Sequence, residues 1–253
     1  MNKIEELLSI SIDTVSSACK ILLESNKNDL SGHKFSEKLP KEVKAIVDKT
    51  MEKIILDRII PIGLPILSEE SGIINDKKSD LRFIIDPLDG TVNYIRNLGQ
   101  SSISLALYKG NDPVFGVLGI YPTCDLVWGG KIFGSYLNNE PIKVSSIGKE
   151  NESILCTGFP SRFQFSNDYH ADSFLNKVSN FAKVRMLGSA SISLFQIAKG
   201  SAEVYSEQEI MLWDVAAGLA IVEGAGGTVF TSSGLYENSL NVVATNSIIN
   251  HQL

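Results

Sequence analysis

Apolar positions set the rhythm of this chain before any single residue suggests chemistry. In MNKIEELLSISIDTVSSACK, Ile4, Leu7, Leu8, Ile12, Val15 and Cys19 recur at helical spacing, while Glu5, Glu6 and Asp13 break any signal-like apolar run. The pattern predicts an amphipathic helix rather than an export signal. A second helix is predicted over 42–60, with Val43, Ile46, Val47, Thr50, Met51 and Ile54 on one face and Asp48 at its edge. The rhythm then shortens to β-branched runs. Residues 65–68 lead into Glu69-Glu70-Ser71-Gly72. Residues 81–85 read as a buried strand ending at Asp86, because Pro87 has no N–H and forces the chain out of a ladder. Runs at 102–108, 113–121 and 125–130 predict successive antiparallel strands, and Asn138-Asn139 a hairpin turn. Beyond them, helices near 169–182, 189–199 and 213–224 alternate with strands near 153–157, 183–187, 202–206, 227–231 and 241–245, an α/β rhythm.

Acids stand at the ends of these predicted elements. Glu69 and Glu70 follow one strand, and Asp86 and Asp89 flank Pro87-Leu88 at the end of another, with Gly90 free to make a tight reversal. Like charges converging in one small volume repel unless a cation lies between them, so a hard divalent metal is the natural occupant. The plain alternative is an Asp-Gly turn in which Asp89 bonds its own backbone. Asp214 opens the helix that follows Trp213, where capping by itself explains it.

Composition narrows the function. A chain of 253 residues buries a large core and fits one α/β domain over 1–253, with an α+β half over 1–145 and an α/β half over 146–253. The net charge is −6 with no block of Lys or Arg, which argues against nucleic-acid and anionic-membrane partners; an anionic substrate then needs a metal bridge. Cys19, Cys124 and Cys156 are far apart and odd in number, which suits reduced thiols and a cytoplasmic location. His33, His170 and His251 are equally scattered, so neither a zinc site nor a Cys-His nucleophile pair has local support. GAGGTV at 224–229 follows a helix and precedes a strand, the reverse of a phosphate-cradling dinucleotide loop.

Taken together, EES at 69–71, DPLDGT at 86–91 and WDVAAG at 213–218 resemble the inositol monophosphatase family of magnesium-dependent, lithium-sensitive phosphatases. The resemblance covers most of the chain, including Leu187-Gly188-Ser189-Ala190. It implies a layered α-β-α-β-α sandwich of the inositol monophosphatase and fructose-1,6-bisphosphatase type. It also implies Mg²⁺ ligation by Glu69, Asp86, the Leu88 carbonyl, Asp89 and Asp214. Gly90 and Thr91 would meet the phosphate, Ser189 and Ala190 would lie near the substrate, and Glu70 would stand behind the ligands. Thr91, bonded to Asp48 and assisted by Glu69, would orient the attacking water, with no covalent phosphoenzyme. A homodimer is implied as well. One departure is visible. The family commonly has threonines ahead of the position matching Asp48, where this chain reads Lys44-Ala45-Ile46-Val47-Asp48.

The chemistry agrees with such a ligand set: magnesium takes octahedral oxygen coordination and leaves positions open for substrate, and two metals stabilise both ends of an in-line displacement. Haloacid dehalogenase phosphatases are a rival, but their nucleophilic Asp would stand where this chain has Pro87. A noncatalytic metal- or phosphosugar-binding protein is a second rival, against which Thr91 argues. Val92-Asn93-Tyr94 resembles the Thr-Asn-Phe of inositol phosphatases more than the Lys-Glu-Phe of bisphosphate nucleotidases. The expected substrate is therefore a small alcohol or sugar phosphate, inositol monophosphate first. A 3′(2′),5′-bisphosphate nucleotidase, fructose-1,6-bisphosphatase or histidinol-phosphatase is the alternative. Glu207 matches a glutamate that accepts hydrogen bonds from inositol hydroxyls, and the plain reading makes it a solvated acid in a loop after a strand ending near Tyr205.

Overall fold

The structure is a computed structural model that describes residues 2–24, 34–35, 43–44, 46–159, 174–176 and 178–250. Helix α1 spans Lys3–Glu24, strands β1 (Lys34–Phe35) and β2 (Val43–Lys44) form a small antiparallel pair, and helix α2 spans Ile46–Ile59. Strands β3 (Ile66–Ser68), β4 (Gly72–Ile74) and β5 (Leu81–Asp89) lead to the short helix α3 (Thr91–Ile95). Strands β6 (Ser101–Lys109), β7 (Asp112–Tyr121), β8 (Asp125–Gly130), β9 (Gly134–Leu137) and β10 (Glu140–Pro141) follow as a meander. These make an eight-stranded sheet in the order β10-β9-β8-β7-β6-β5-β3-β4, antiparallel except between β3 and β5.

The second half carries β11 (Ile154–Cys156), β12 (Lys183–Arg185), helix α4 (Ala190–Ala198), β13 (Val204–Met211), helix α5 (Leu212–Gly224), β14 (Thr228–Ser233) and β15 (Ser239–Thr245). Its five-stranded sheet runs β12-β11-β13-β15-β14, with β11 parallel to both neighbours. Of the helix expected over 169–182, residues 174–176 and 178–179 are helical and 180–182 are a turn; 169–173 and 177 lie outside the described residues.

Period-2 alternation builds the layers. Phe83, Ile85, Ile103, Leu105, Phe115 and Val117 point to one face of the large sheet and pack with Leu8, Val15 and Leu22 of α1 and Met51 and Ile55 of α2. Ile84, Ala106, Leu118 and Val127 point the other way, onto Leu194 of α4 and Val215, Ala216 and Leu219 of α5. The same two helices cover Tyr205, Val242 and Ala244 of the small sheet, whose far face holds Leu155, Val204 and Phe181. The order is helices, sheet, helices, sheet and an outer apolar cluster, the layered sandwich expected.

Helix α5 is apolar all round because it is sandwiched between two sheets. It approaches β7 so closely that a Cβ on Gly116 would lie 2.2 Å from the Ala217 carbonyl oxygen. Gly116→Ala is expected to cost about 1–3 kcal/mol by overpacking, read as a lower thermal midpoint. An unchanged midpoint would mean that the two layers slide apart freely.

Three expectations need correction. The buried face of α2 is Asp48, Met51, Glu52, Ile55 and Ile59, whereas Ile46 is exposed. The helix is turned so that two acids face inward. Strand β5 does not end at Asp86: the ladder with β6 breaks its register after Asp86 and resumes with Asp89 opposite Ser102, so Pro87 sits in the irregularity, where its missing N–H costs no ladder bond. Glu207 is not in a loop; β13 runs through it, with a register shift before Ile210 and Glu209 at φ 57°.

Candidate active site

The irregular end of β5 turns into α3 through Gly90, at φ 79°. A side chain there would be strained by that backbone angle and would press on the Gln100 carbonyl and Ser189. Asp86 is buried; its Oδ1 accepts the Leu88 N–H at 2.9 Å. Its Oδ2 is also buried and has no hydrogen-bond partner among the described residues. Oxygens of Glu69, at the end of β3, and Asp214, in the first turn of α5, lie within 4.8 Å of an Asp86 oxygen and of each other. A buried carboxylate with one oxygen lacking a donor and two further carboxylates within 4.8 Å of it fits a divalent cation with oxygen ligands.

Electrostatics say the same. Burial, and then the charges of Glu69, Asp89 and Asp214, push Asp86 well above the ordinary carboxylate range. Burial, and then the charges of Asp89, Glu69 and Glu207, do so for Asp214. Asp89 is pushed up by burial and held back by its hydrogen bonds. Its Oδ2 accepts from the Ser189 hydroxyl at 2.5 Å, the Ser191 N–H at 2.8 Å and the Ser191 hydroxyl. That oxygen is saturated, so any cation contact by Asp89 falls to Oδ1. Asp89 lies beside the Glu69, Asp86 and Asp214 trio rather than within it.

Thr91 opens α3. Its Oγ1 lies 3.0 Å from Asp48 Oδ1 and 3.0 Å from the Leu88 carbonyl oxygen, so the hydroxyl donates to one of two acceptors. Asp48 is therefore buried beside the turn and not on a solvated helix edge. The Leu88 carbonyl points into the same turn.

The inositol monophosphatase family profile matches residues 3–253. The chain belongs to this family, and its members are phosphatases. It is 32% identical over 234 residues to the fructose-1,6-bisphosphatase/inositol-1-monophosphatase of Aquifex aeolicus, covering 90% of this chain and 86% of that one. It is 35% identical over 213 residues to the inositol-1-monophosphatase of a Synechocystis species, covering 81% and 73%. The solved structure of the extragenic suppressor protein suhB of Bartonella henselae superposes with a TM-score of 0.85 at 25% identity, over 96% and 95% of the two chains.

Within this phosphatase frame, Glu207 lies buried on β13 with Oε2 accepting from the Tyr205 hydroxyl at 3.0 Å, and burial pushes its carboxyl up to about 7. Gly158 lets the chain pass against it, since a Cβ there would meet Glu207 Oε2 at 2.7 Å. Glu209, the nearby competitor, is spent on structure: it accepts from the Leu235 N–H and the Ser239 hydroxyl. Ser189 caps α4, accepting the Ile192 N–H, and its hydroxyl donates a hydrogen bond to Asp89 Oδ2. Ala190, the first residue of α4, is buried beside it. Glu70 is half-buried in the turn after β3.

Asn93 was visible only as a substrate-class signal. It is a latch, its amide donating to the Gln100 and Leu187 carbonyls at 3.0 and 2.7 Å and tying α3 to the segment that carries Ser189. Sequence reasoning also missed Ser191 and Glu52. The spacing of Glu52 one turn after Asp48, beside Met51 and Ile55, is the signal that could have found it.

Raised carboxyl values carry a sign for stability. Between the ordinary value of 3.8 and the raised values of Asp86 and Asp214, the folded chain binds more protons than the unfolded one, so stability falls as pH rises. Metal-free protein is expected to melt lower at about pH 7.5 than at about pH 5.5, with Mg²⁺ recovering more at the higher pH, because ligands must be deprotonated. A metal-free melting point that climbs over this interval would contradict the acidic cluster. No helix among the described residues is long and apolar enough to cross a membrane.

Proposed function

We propose that this phosphatase hydrolyses a small polyol phosphate monoester, inositol monophosphate before other esters, with Mg²⁺ held by Glu69, Asp86 and Asp214 and by Asp89 through Oδ1. The observation that carries the reading is the Thr91 hydroxyl within hydrogen-bond reach of buried Asp48, in the turn that follows Asp86 of the acidic trio. A divalent ion there supplies Lewis-acid charge for the phosphate oxygens and lowers the pKa of water.

The chain's own groups do the rest. With its hydrogen on Asp48 rather than on the Leu88 carbonyl, the Thr91 hydroxyl has lone pairs that can accept a proton from an incoming water while its own proton passes to Asp48. The backbone N–H groups at Gly90 and Thr91 stand at the turn into α3 and suit phosphate oxygens. Glu69, from the acidic trio, would help to orient the water. Water is the expected nucleophile, because Asp86 belongs to the acidic trio and Asp89 is held by Ser189 and Ser191.

Glu207 supports the polyol assignment. A carboxylate facing a polyol accepts hydrogen bonds worth roughly 1.5–3 kcal/mol each. Glu207→Ala should cost about one to two decades of kcat/KM on inositol phosphate and leave p-nitrophenyl phosphate nearly unchanged. Equal loss on both would indicate a damaged metal site, and no loss on either would remove the polyol argument. The substrate itself is tested by phosphate release with Mg²⁺ from myo-inositol 1-phosphate, fructose 1,6-bisphosphate, 3′-phosphoadenosine 5′-phosphate and histidinol phosphate. The highest kcat/KM is expected on the first; a preference for any other would replace it. The two-part name of the Aquifex relative makes fructose 1,6-bisphosphate the strongest competitor.

A further inference from the structure

We propose that Glu52 is a positioning residue that clamps the turn carrying Glu69 against α2, so that Glu69 and Asp48 are held in one register; the inference rests on the reading of Glu69 as a cation ligand. Asp48 and Glu52 lie four residues apart on α2, on one face, and both are buried. The Glu52 carboxylate reaches across to the turn after β3. Its Oε1 accepts the Ser68 hydroxyl at 2.5 Å and the Ser71 N–H at 3.0 Å, and its Oε2 accepts the Ser71 hydroxyl at 2.8 Å.

Ser68 and Ser71 bracket Glu69 and Glu70, so one carboxylate pins both ends of the turn. From the other side, the Glu69 N–H donates to the Ile85 carbonyl on β5 at 3.1 Å. Glu69 is thereby fixed between the helix that supplies Asp48 and the strand that supplies Asp86. Among the described residues Glu52 pairs with no Lys or Arg, and its buried oxygens are satisfied by these three donors. Groups that hold a ligand in place typically set metal affinity within a factor of about 10–100.

The test is a titration with Mn²⁺ alone, followed by the electron paramagnetic resonance of the free ion, on wild type, Glu52→Ala, Glu52→Gln, Ser71→Ala and Glu69→Gln, with metal-free melting curves beside it. Glu52→Ala should bind Mn²⁺ about 10- to 100-fold more weakly. Glu52→Gln keeps an acceptor for Ser68 and Ser71 and should lose much less. Ser71→Ala, which removes a single side-chain bond at an exposed position, should shift affinity in the same direction by a smaller factor. A purely structural role would lower melting without moving affinity, and wild-type affinity in folded Glu52→Ala overturns the clamp. Should Glu52→Ala not fold, unchanged affinity in Ser71→Ala overturns it instead. Equal losses in Glu52→Ala and Glu52→Gln would make charge, not position, the operative property and also reject the clamp. Unchanged affinity in Glu69→Gln would instead remove the underlying metal assignment.

Discussion

Asp86→Asn is expected to abolish phosphate release at saturating Mg²⁺ while raising the melting point of the metal-free protein near neutral pH. Asp86 stands at the centre of the acidic group, with Glu69 and Asp214 oxygens within 4.8 Å and its own Oδ2 buried without a donor. An amide there removes one like charge, which relieves repulsion in the empty site, and offers N–H donors to the remaining carboxylates. The same change removes a ligand that a cation needs. Cation charge at a phosphoryl centre is worth several kcal/mol, so the loss of turnover should reach about 10³-fold or more. Asp89→Asn should behave alike for activity, though its serine donors Ser189 and Ser191 would then face an amide. Near wild-type turnover of either variant, measured with circular dichroism to show an intact fold, would sink the metal assignment.

How far this was legible from sequence depends on which partner each residue meets. The alternation of Phe83, Ile84 and Ile85 announces a strand buried on both faces, and the sheet follows it because local pattern and tertiary burial agree. Helix α2 is different. Val43, Ile46, Val47 and Ile54 suggest an apolar stripe, yet the face turned inward carries Asp48 and Glu52, because Thr91, Ser68 and Ser71 satisfy them there. Periodicity counts apolar residues and cannot see a donor that arrives from 16 to 43 residues away.

The strand ends show the same limit. Pro87 argues for a break, and there is one, but the ladder resumes at Asp89 because the register shift absorbs the missing N–H. YSEQE reads as polar loop, whereas β13 pairs with β15 on through it and buries Glu207 beside Tyr205. Acids at element ends were readable as a cluster; their hydrogen-bond partners, Ser191 on Asp89 above all, were not, since a serine in an apolar helix has many plainer uses.

Thr91→Ala is expected to lower kcat by about 10²-fold or more and to change KM little. The Thr91 hydroxyl donates to Asp48 of α2 or to the Leu88 carbonyl of its own turn, and neither contact requires substrate. Its removal therefore leaves ground-state binding largely intact, while the proton route from water to Asp48 loses its middle member, and that loss is felt in the transition state. Asp48→Asn tests the same route from its far end: the amide oxygen still accepts the Thr91 hydrogen bond but takes up a proton poorly, so kcat should fall while the turn keeps its shape. If the two variants act on one path, the double variant should lose scarcely more than the worse single one, because groups that work as a unit are not additive. A raised KM with unchanged kcat in Thr91→Ala would reassign the hydroxyl to substrate holding. Multiplying losses in the double variant would separate Asp48 from Thr91 and leave the buried acid with a structural task.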